Sequence, residues 1–223
     1  MSIPKASELF DFEKTIAKEL FKNRNYPWEV LPDIKDFIVS LGNTLPEDRY
    51  TKVRETVWIA KDATVFDTAY IGDYCIIDSG AEVRHCAFIR GSAIVGKGAV
   101  VGNSTELKNV VLFDGVQVPH YNYVGDSILG YKSHMGAASI TSNVKSDKTL
   151  VVIKSQDKSE FFPTERKKIG AMLGDFVEVG CGSVLNPGTV IGRESNIYPL
   201  SSVRGIVPEG SIYKADGNIV KKA

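Results

Sequence analysis

Four basic side chains between residues 84 and 120 have types and spacings that could bind an anion and move a proton. They are Arg84, Arg90, Lys108 and His120, and the interval from Arg84 to His120 is twice the interval from Arg90 to Lys108. An arginine offers a planar fork of donors to a phosphate, and a lysine offers a mobile point charge. A neutral imidazole can accept a proton from an amine near neutral pH. These residues would suit a site that holds an anionic substrate beside a general base.

The sequence around these residues repeats every six residues, and this repeat predicts the strands that position them. A large apolar residue leads each hexad, and a mostly small residue stands four places after it. The leading residues are Ile59, Val65, Ile71, Ile77, Val83, Ile89, Val95, Val101, Leu107 and Phe113. Neither an α-helix nor an alternating strand keeps this period, which is typical of a coil of short strands. The predicted fold is an all-β solenoid, a left-handed parallel β-helix of hexapeptide repeats.

Because of the repeat, the distance between two residues in the sequence predicts their relative positions in the coil. If three hexads close one triangular coil, residues three hexads apart lie one above the other. Arg90 and Lys108 have this spacing, so we expect them to stack as a two-cation rung. Arg84 and His120 are six hexads apart and should share another face, two coils apart. The alternative is that these cations are ordinary solvated residues of the solenoid wall.

His120 lies at an interruption of the repeat. It lies in the segment VPHYNYVGD, where the six-residue repeat is interrupted. Irregular backbone at one point of a regular scaffold often marks a site. The interruption therefore favours a functional role for His120.

The remaining segments predict the domain organisation. Residues 1–50 lack the repeat and carry two apolar stripes at helical spacing, which predicts an N-terminal helical cap over the open end of the solenoid. The stripes could instead dock a partner. Residues 51–213 form the β-helix, with a loop extruded at about 141–172, and residues 214–223 form a C-terminal tail. The loop carries these cations: Lys145, Lys148, Lys154, Lys158, Arg166, Lys167 and Lys168.

Composition limits the partners and the compartment. Of 223 residues, 27 are Lys or Arg and 27 are Asp or Glu, so the formal net charge is zero. The chain therefore has no overall positive charge that would attract nucleic acid or an anionic membrane. Three cysteines without metal-ligand spacing indicate free thiols in a reducing compartment. No apolar signal core and no run of about 20 apolar residues is present. We expect a cytoplasmic protein that binds neither nucleic acid nor membrane.

Several strings of the sequence carry a family resemblance. They are IRGSAIVGKGAVVGNSTELK, PHYNYVGDSILG, ITSNVKSD and, after the loop, RKKIGAMLGDFVEVGCGSVLNPGTVIG. Through them residues 57–208 resemble the bacterial hexapeptide-transferase fold. The stretch 90–143 resembles the acetyltransferase domain of the bifunctional enzyme that makes UDP-N-acetylglucosamine. It is more similar still to the matching domain of archaeal sugar-1-phosphate nucleotidylyltransferase/acetyltransferases.

The resemblance implies an activity and a role for each site residue. Arg90 and Lys108 fall where the family binds the sugar phosphate, and His120 falls on its catalytic base. Tyr123 falls on a sugar-contacting tyrosine, and Asn143 on an asparagine of the acceptor site. The implied reaction is acetyl transfer from acetyl-CoA to the amine of an amino-sugar 1-phosphate in nucleotide-sugar biosynthesis, with no metal required. The family also implies a homotrimer with sites between subunits.

The chain departs from the family pattern at several places. His134 replaces an asparagine and Val144 replaces a tyrosine, which leaves the identity of the acceptor open. Cys181 replaces a serine thought to face the thioester of the coenzyme, so Cys181 and the loop residue Lys148 are the predicted cofactor-binding residues. The glycine-rich nucleotide-binding segment has no counterpart here. We therefore expect no nucleotidyltransferase activity.

Two other functions remain open from the sequence. One is a non-catalytic β-helix that binds sugar nucleotides or acts as a scaffold, because a fold alone never proves activity. The other is a metal hydratase similar to γ-class carbonic anhydrases, which use three histidines on this fold. The chain has His85, His120 and His134, but a glycine, Gly125, stands at the place after His120 where that family has a ligand.

Overall fold

The computed structural model describes residues 2–155 and 159–222 and shows a left-handed parallel β-helix. Its strands are short because each hexad supplies one straight segment and one turn of the coil. The strands within the described residues are β1 Tyr50–Arg54, β2 Val57–Ala60, β3 Thr64–Val65, β4 Tyr70–Ile71, β5 Cys75–Ile77, β6 Glu82–Val83, β7 Phe88–Val95, β8 Val100–Asn103, β9 Glu106–Leu112, β10 Gln117–His120, β11 Tyr123–Leu129, β12 His134–Met135, β13 Ile140–Thr141, β14 Val152–Lys154, β15 Phe161–Pro163, β16 Ala171–Leu173, β17 Glu178–Val179, β18 Val184–Leu185, β19 Thr189–Ile191, β20 Asn196–Ile197, β21 Ser202–Val203, β22 Ile206–Val207, β23 Ser211–Tyr213 and β24 Ile219–Lys221.

The coil has three faces. The first face contains β2, β5, β16, β19 and β22, and the third contains β4, β13, β18 and β21. The long strands β7, β9 and β11 cross from the third face to the first, which joins these two faces into one sheet. The second face is a separate sheet that includes β3, β6, β8, β10, β12, β17 and β20. Parallel pairing places successive coils about 4.8 Å apart.

The core of the solenoid is the column of leading hexad residues. These side chains are fully buried in the second and third coils: Ile77, Val83, Ile89, Val95, Val101 and Leu107. Each such side chain contributes about 1.5–3 kcal/mol when it is removed from water. The predicted β-helix fold is therefore confirmed.

Two corners of the triangular coil bear on function. The corner between the second and third faces, here the His120 corner, turns at residues with positive φ: Cys86, Ser104, Tyr121, Ala138, Gly182 and Leu200. The corner between the third and first faces, here the Asp126 corner, turns at Tyr74, Ser92, Asn109 and Asp126. Coils on both sides hold these residues in the left-handed region, which costs about 1–2 kcal/mol for a residue other than glycine.

A bulge between Ile89 and Gly91 changes the register of the coils. Ile89 pairs with Leu107, a full coil of three hexads further on, but Gly91 pairs with Lys108, one place short of a full coil. Arg90 is the extra residue, so the predicted stacking of Arg90 over Lys108 is wrong. The shorter coil also moves Phe113 off the inward column, which continues through Leu112. Phe113 instead packs against two aromatic rings of the N-terminal segment.

The same change of register shifts His120 relative to Arg84. Val83 pairs with Val101, and Val101 pairs with Val118, so the place above Arg84 two coils on is Pro119. His120 pairs with Asn103, whose side chain donates to the backbone carbonyl of His85. The predicted shared face is present, but His120 stands above His85 and not above Arg84.

The N-terminal segment, residues 2–49, lies along the first face of the solenoid. It contains α1 Ala6–Leu9 and α2 Ile34–Gly42, with 3-10 turns at Phe12–Lys14, Lys18–Phe21 and Pro27–Val30. Helix α2 contacts β5, β7 and β9. The placement of this segment as a cap over the open end is therefore corrected. The segment packs sideways because the first face presents outward apolar residues in successive coils, including Ile76, Ile94 and Val111, all fully buried beneath it.

The extruded loop leaves the coil at the Asp126 corner. The chain departs after β13 and rejoins the coil at Gly170, whose N–H donates to the carbonyl of Asp126 at 2.8 Å. Within the loop β14 and β15 pair as an antiparallel hairpin. The ring centroid of Phe162 on this hairpin lies 5.3 Å from that of Trp28 and 4.8 Å from that of Tyr26. The hairpin and the N-terminal segment therefore hold each other against the solenoid.

Antiparallel strands pair with the two edges of the solenoid. Strand β1 pairs with β2 at one edge, and β24 pairs with β23 at the other, so the predicted C-terminal tail is partly a hairpin. Strands β1 and β24 thereby cover strands of the coil and become edge strands of their sheets themselves. None of the helices in the described part of the chain is long and apolar enough to cross a membrane.

Candidate functional site

A buried carboxylate at the Asp126 corner gathers three of the predicted substrate-binding residues. The side chain of Asp126 is 2% exposed and accepts hydrogen bonds from Lys108 Nζ at 2.9 and 3.1 Å. It also accepts from Asn109 Nδ2 at 3.0 Å and from Asn143 Nδ2 at 2.7 Å. Asn143 Nδ2 donates in addition to Tyr123 Oη at 3.1 Å. Lys108, Tyr123 and Asn143 therefore form one network around Asp126.

Local backbone structure places these side chains together. Lys108 pairs with Gly125 in the next coil, and Asp126 follows at the corner with a φ of 49°. A Cβ atom on Gly125 would lie 2.5 Å from Tyr123 Oη and 3.0 Å from Asn143 Nδ2. Only glycine leaves the space that the tyrosine and the asparagine fill. Asn143 lies where the chain leaves β13 and enters the extruded loop.

Arg90 lies beside this network but is not part of it. Its guanidinium is 3.2 Å from Glu106 Oε1, and its side chain is 57% exposed. The bulge directs it away from Lys108, as bulges often re-aim a side chain. The expected two-cation rung is thus replaced by two ion pairs, Arg90 with Glu106 and Lys108 with Asp126. An incoming anion would meet an exposed arginine first and a partly covered lysine second.

Tyr123 is held in its neutral form. Burial raises the pKa of its hydroxyl above the ordinary value, and the negative charges of Asp126 and Glu106 raise it further. The Asn143 hydrogen bond and Arg90 oppose the rise. The hydroxyl therefore remains a hydrogen-bond donor at neutral pH, which suits contact with a sugar oxygen.

His120 ends β10 at the His120 corner, and its side chain is exposed. Its backbone is fixed: its N–H donates to Asn122 Oδ1 at 3.1 Å, and its carbonyl accepts from Ala138 N at 3.0 Å. Within the described residues its imidazole has no hydrogen-bond partner. The third face separates this corner from the Asp126 corner, so no contact joins His120 to Lys108 or Asn143 within one chain.

Cys181 lies at the same corner as His120. The carbonyl of His120 accepts from Ala138, and the carbonyl of Ala137 accepts from Gly182, so Cys181 stands two coils above His120. Two coils separate Cys181 from His120 by about 10 Å along the axis of the solenoid. Small residues, among them Ala137, Ala138 and Gly182, occupy this stretch of the corner between the exposed side chains of Tyr121 and Leu200, and Cys181 is exposed on it.

Lys148 lies in the extruded loop, away from both corners' side-chain networks. It is exposed, has a φ of 58°, and its N–H donates to the carbonyl of Lys145 at 3.0 Å. The predicted coenzyme contact by Lys148 thus has no geometric support from a neighbouring site residue within the described chain. Another loop cation, Lys158, lies outside the described residues.

The histidines do not gather. His134 Nδ1 lies 2.8 Å from Glu178 Oε2, and His85 Nδ1 lies 2.9 Å from Thr68 Oγ1. His85 and His120 share a column two coils apart, about 10 Å. Across residues 2–155 and 159–222, no group of three or more His, Cys, Asp or Glu side chains has a metal-binding arrangement. The geometry offers no support for the hydratase alternative.

Two residues of the network, Asn109 and Asp126, were not predicted from the sequence, and neither was Glu106, the partner of Arg90 beside it. A signal for Asp126 exists, because it follows Lys108 by three hexads and a carboxylate is the natural partner of a partly buried lysine. Glu106 stands just short of a full coil after Arg90 and is found only once the bulge is known.

Comparison with known families decides the classification. The family model described as GMPPB C-terminal domain matches residues 71–197, more than half of the chain. The chain belongs to the GMPPB C-terminal domain family. The matched region includes all of the Asp126 network, together with Arg90, His120 and Cys181. The resemblance to sugar-nucleotide enzymes with a hexapeptide-repeat domain is therefore confirmed.

Individual relatives agree with this membership. The bifunctional sugar-1-phosphate nucleotidylyltransferase/acetyltransferase of Sulfurisphaera tokodaii is 30% identical over 194 residues, which cover 84% of this chain and 47% of that protein. The bifunctional protein GlmU of Methanococcus maripaludis is 30% identical over 213 residues, covering 92% of this chain and 50% of that protein. The chain spans about half the length of these relatives.

Solved structures with similar folds include two acetyltransferases. The acetyltransferase domain of PglB from Neisseria gonorrhoeae, in complex with acetyl coenzyme A, has 17% identity and a TM-score of 0.34, covering 72% of this chain and 55% of that one. A point mutant of GDP-perosamine N-acetyltransferase from Caulobacter crescentus, in complex with CoA and GDP-perosamine, has 16% identity and a TM-score of 0.35. That match covers 74% of this chain and 56% of the other.

Proposed function

We propose that the chain is an acetyl-CoA-dependent N-acetyltransferase that acts on an amino-sugar 1-phosphate in nucleotide-sugar biosynthesis. The observation that carries the proposal is the network in which Lys108, Tyr123 and Asn143 converge on buried Asp126, with the exposed Arg90 beside it. The name of the Sulfurisphaera relative, a sugar-1-phosphate nucleotidylyltransferase/acetyltransferase, supports a sugar-1-phosphate pathway.

Each residue has a role in this proposal. Arg90 binds the phosphate through its guanidinium fork, and Lys108 adds a second charge while Asp126 fixes its position. The neutral Tyr123 and the amide of Asn143 hydrogen bond to sugar hydroxyls. Binding in a fixed orientation lowers the barrier because the reacting groups no longer have to find each other.

His120 is the proposed general base. Its free imidazole accepts the proton of the amine as nitrogen attacks the thioester carbonyl; the C–N bond forms, the C–S bond breaks, and the CoA thiol leaves with a proton. Such a base contributes about 10² to 10⁴ in rate. Acetyl-CoA supplies the activated acyl group. The small-residue surface from Ala137 to Cys181 fits the narrow arm of the coenzyme beside His120.

We further propose that the active form is a homotrimer. His120 and the Asp126 network lie at opposite edges of the third face, so a neighbouring subunit packed on that face would bring the two edges together. Apolar side chains that are exposed there support this: Tyr70 at 57%, Phe88 at 41% and, at the corner, Tyr121 at 63%. Sedimentation at micromolar concentration should find the trimer, and a monomer alone would contradict a shared site.

The state of the cysteines supports a cytoplasmic location for this enzyme. Cys75, Cys86 and Cys181 are free thiols. Free thiols of this kind persist in a reducing compartment, whereas an oxidising one favours disulfides.

The experiment that tests the activity measures free thiol released from acetyl-CoA. Acceptors should include amino-sugar 1-phosphates, amino-sugar nucleotides and simple amines. We expect turnover with an amino-sugar 1-phosphate that depends on His120. Thiol release at the same background rate with every acceptor would contradict the proposal and favour a non-catalytic binding protein.

A further inference from the structure

We propose that a groove between the N-terminal segment and the extruded loop binds an oligophosphate, such as the phosphate chain of a nucleotide. The groove encloses about 520 Å³ on the outer side of the Asp126 corner. One wall is Leu31, Pro32 and Lys35, the floor includes Ser92 and Asn109, and the other wall is the loop stretch 165–168. Three separate parts of the chain thus meet around one cavity.

The groove concentrates positive charge in a chain whose net charge is zero. Five cations line it: Lys35, Lys108, Arg166, Lys167 and Lys168. The lining carboxylates are Glu165 and Asp126, and Asp126 is already bonded to Lys108. Among the described residues, no carboxylate lies within ion-pair distance of Lys35, Arg166, Lys167 or Lys168. Like charges held together without counter-charges favour a multivalent anion.

The guanidinium of Arg166 is incompletely hydrogen bonded. Its Nε atom is buried and has no hydrogen-bond partner within the described residues. A buried donor without an acceptor is costly to the fold, and more so when the donor is charged. Trp28 Nε1, on the wall of the adjoining cavity that Arg166 also lines, is likewise buried without a partner. Arg166 also lines the groove, where an anion would give its guanidinium the counter-charge that no carboxylate of the described residues supplies.

The backbone presents these cations to the groove. Glu165 has a φ of 55°, an uncommon conformation for a residue with a side chain. The turn at Glu165 is followed at once by Arg166, Lys167 and Lys168, all on the groove wall. Phosphate oxygens suit this set, because an arginine fork binds two oxygens together while lysines neutralise the rest as point charges.

Calorimetric titration with inorganic triphosphate, without any coenzyme or sugar, tests the site. We expect saturable binding that weakens as salt is added. Arg166→Ala and the more exposed Lys167→Ala should each weaken it by about tenfold. Lys154→Ala removes the same charge from the same loop outside the groove, and this variant should bind triphosphate as the unchanged protein does.

Clear results would overturn the proposal. Absence of binding heat up to about 1 mM triphosphate would overturn it, because a Kd above about 1 mM is too weak for a preformed site. Equal weakening in Lys154→Ala and Lys167→Ala would also do so, since it would indicate non-specific attraction. Stronger weakening in Arg90→Ala than in Arg166→Ala would place the anion at the acceptor site instead.

Parallel titration with ATP identifies the source of the phosphate chain. A nucleotide site should bind ATP more tightly than triphosphate, whereas a site for a free oligophosphate should not. Lys108 belongs both to the groove and to the proposed acceptor site. Triphosphate binding is measured without acetyl transfer, so its failure would leave the proposed activity standing.

Discussion

The ammonium of Lys108 lies 2.9 Å from the carboxylate of Asp126, and this pair joins two adjacent coils where the extruded loop leaves the solenoid. Asp126 is almost fully buried, whereas Lys108 is about one-third exposed. The carboxylate therefore depends on Lys108 for its counter-charge, and Lys108 depends on Asp126 for its position. Two consequences follow, one for stability and one for substrate binding.

Replacing Lys108 should destabilise the fold more than replacing Arg90. Lys108→Met leaves the Asp126 charge buried with only amide partners, so we expect the free energy of unfolding to fall by about 2 kcal/mol. Arg90→Met breaks an exposed ion pair, and less than about 1 kcal/mol should be lost. Urea unfolding of both variants measures the difference. Equal losses would mean that Asp126 is not as isolated from water as its burial indicates.

Asp126→Asn should impair acceptor binding without removing a group that contacts substrate. The amide keeps the shape of the side chain but no longer fixes the Lys108 ammonium by charge, so KM for the acceptor should rise more than kcat falls. Steady-state kinetics in the thiol-release assay measure both quantities. A fall in kcat at constant KM would argue instead that the network acts on the chemical step.

The packing of the loop hairpin on the N-terminal segment can be tested with two adjacent phenylalanines. Phe162 packs against Trp28 and Tyr26, whereas Phe161 on the same strand is 57% exposed. Phe162→Ala should cost about 2 kcal/mol and shift the emission of Trp28, measured with Trp58 replaced by Phe. Phe161→Ala is the matched control and should do neither. Similar effects of the two changes would contradict the observed packing.

The three cysteines should differ in reactivity. Burial raises the pKa of the Cys75 thiol from 9.0 to about 12, so Cys75 should not react with a disulfide reagent in the folded protein. Because the unfolded chain would lose this proton near pH 9, the contribution of Cys75 to stability falls as pH rises from about 9 to 12. Reagent titration with and without urea should show one thiol exposed only by unfolding.

The two exposed cysteines test the coenzyme surface. Cys181 lies two coils above His120 at the His120 corner, and Cys86 lies two coils below it. If the coenzyme occupies the small-residue surface, acetyl-CoA should slow modification of Cys181 and leave Cys86 unchanged. Peptide mapping after timed alkylation reports both sites in one sample. Equal protection of the two cysteines, or none, would argue against Cys181 as a coenzyme contact.

The hexad repeat was sufficient to predict the solenoid, because its period is set by local turns that every coil shares. The exact stacking could not be predicted, since the coils that directly follow the bulge at Arg90 have 17 residues and not 18. Counting in coils of three hexads was correct up to Ile89, one place wrong for each coil between Gly91 and Ile140, and correct again between Glu178 and Asn196. The misplaced Phe113 shows the same shift. A bulge depends on packing between coils, which the repeat alone does not reveal.

The sequence contains a signal for the position of the N-terminal segment, but the count of hexads does not use it. Each coil carries three successive apolar residues on the first face, such as Cys75–Ile77, and outward members like Ile76 are fully buried. A strand that is apolar on both sides is covered on both sides. The pairing of Lys108 with Asp126 was not predicted, although their three-hexad spacing was a signal for it, whereas the ion pair of Arg90 with Glu106 depended on the bulge.

Acetyl transfer with and without the His120 imidazole tests the central claim most directly. The measurement is the rate of thiol release from acetyl-CoA with an amino-sugar 1-phosphate, for the unchanged protein, His120→Ala and His85→Ala. His85 is the control because it lies in the same corner column and is also exposed. We predict that His120→Ala loses about 10² to 10⁴ in rate with unchanged stability, and that His85→Ala keeps full activity. Equal rates for the unchanged protein and His120→Ala would contradict the account.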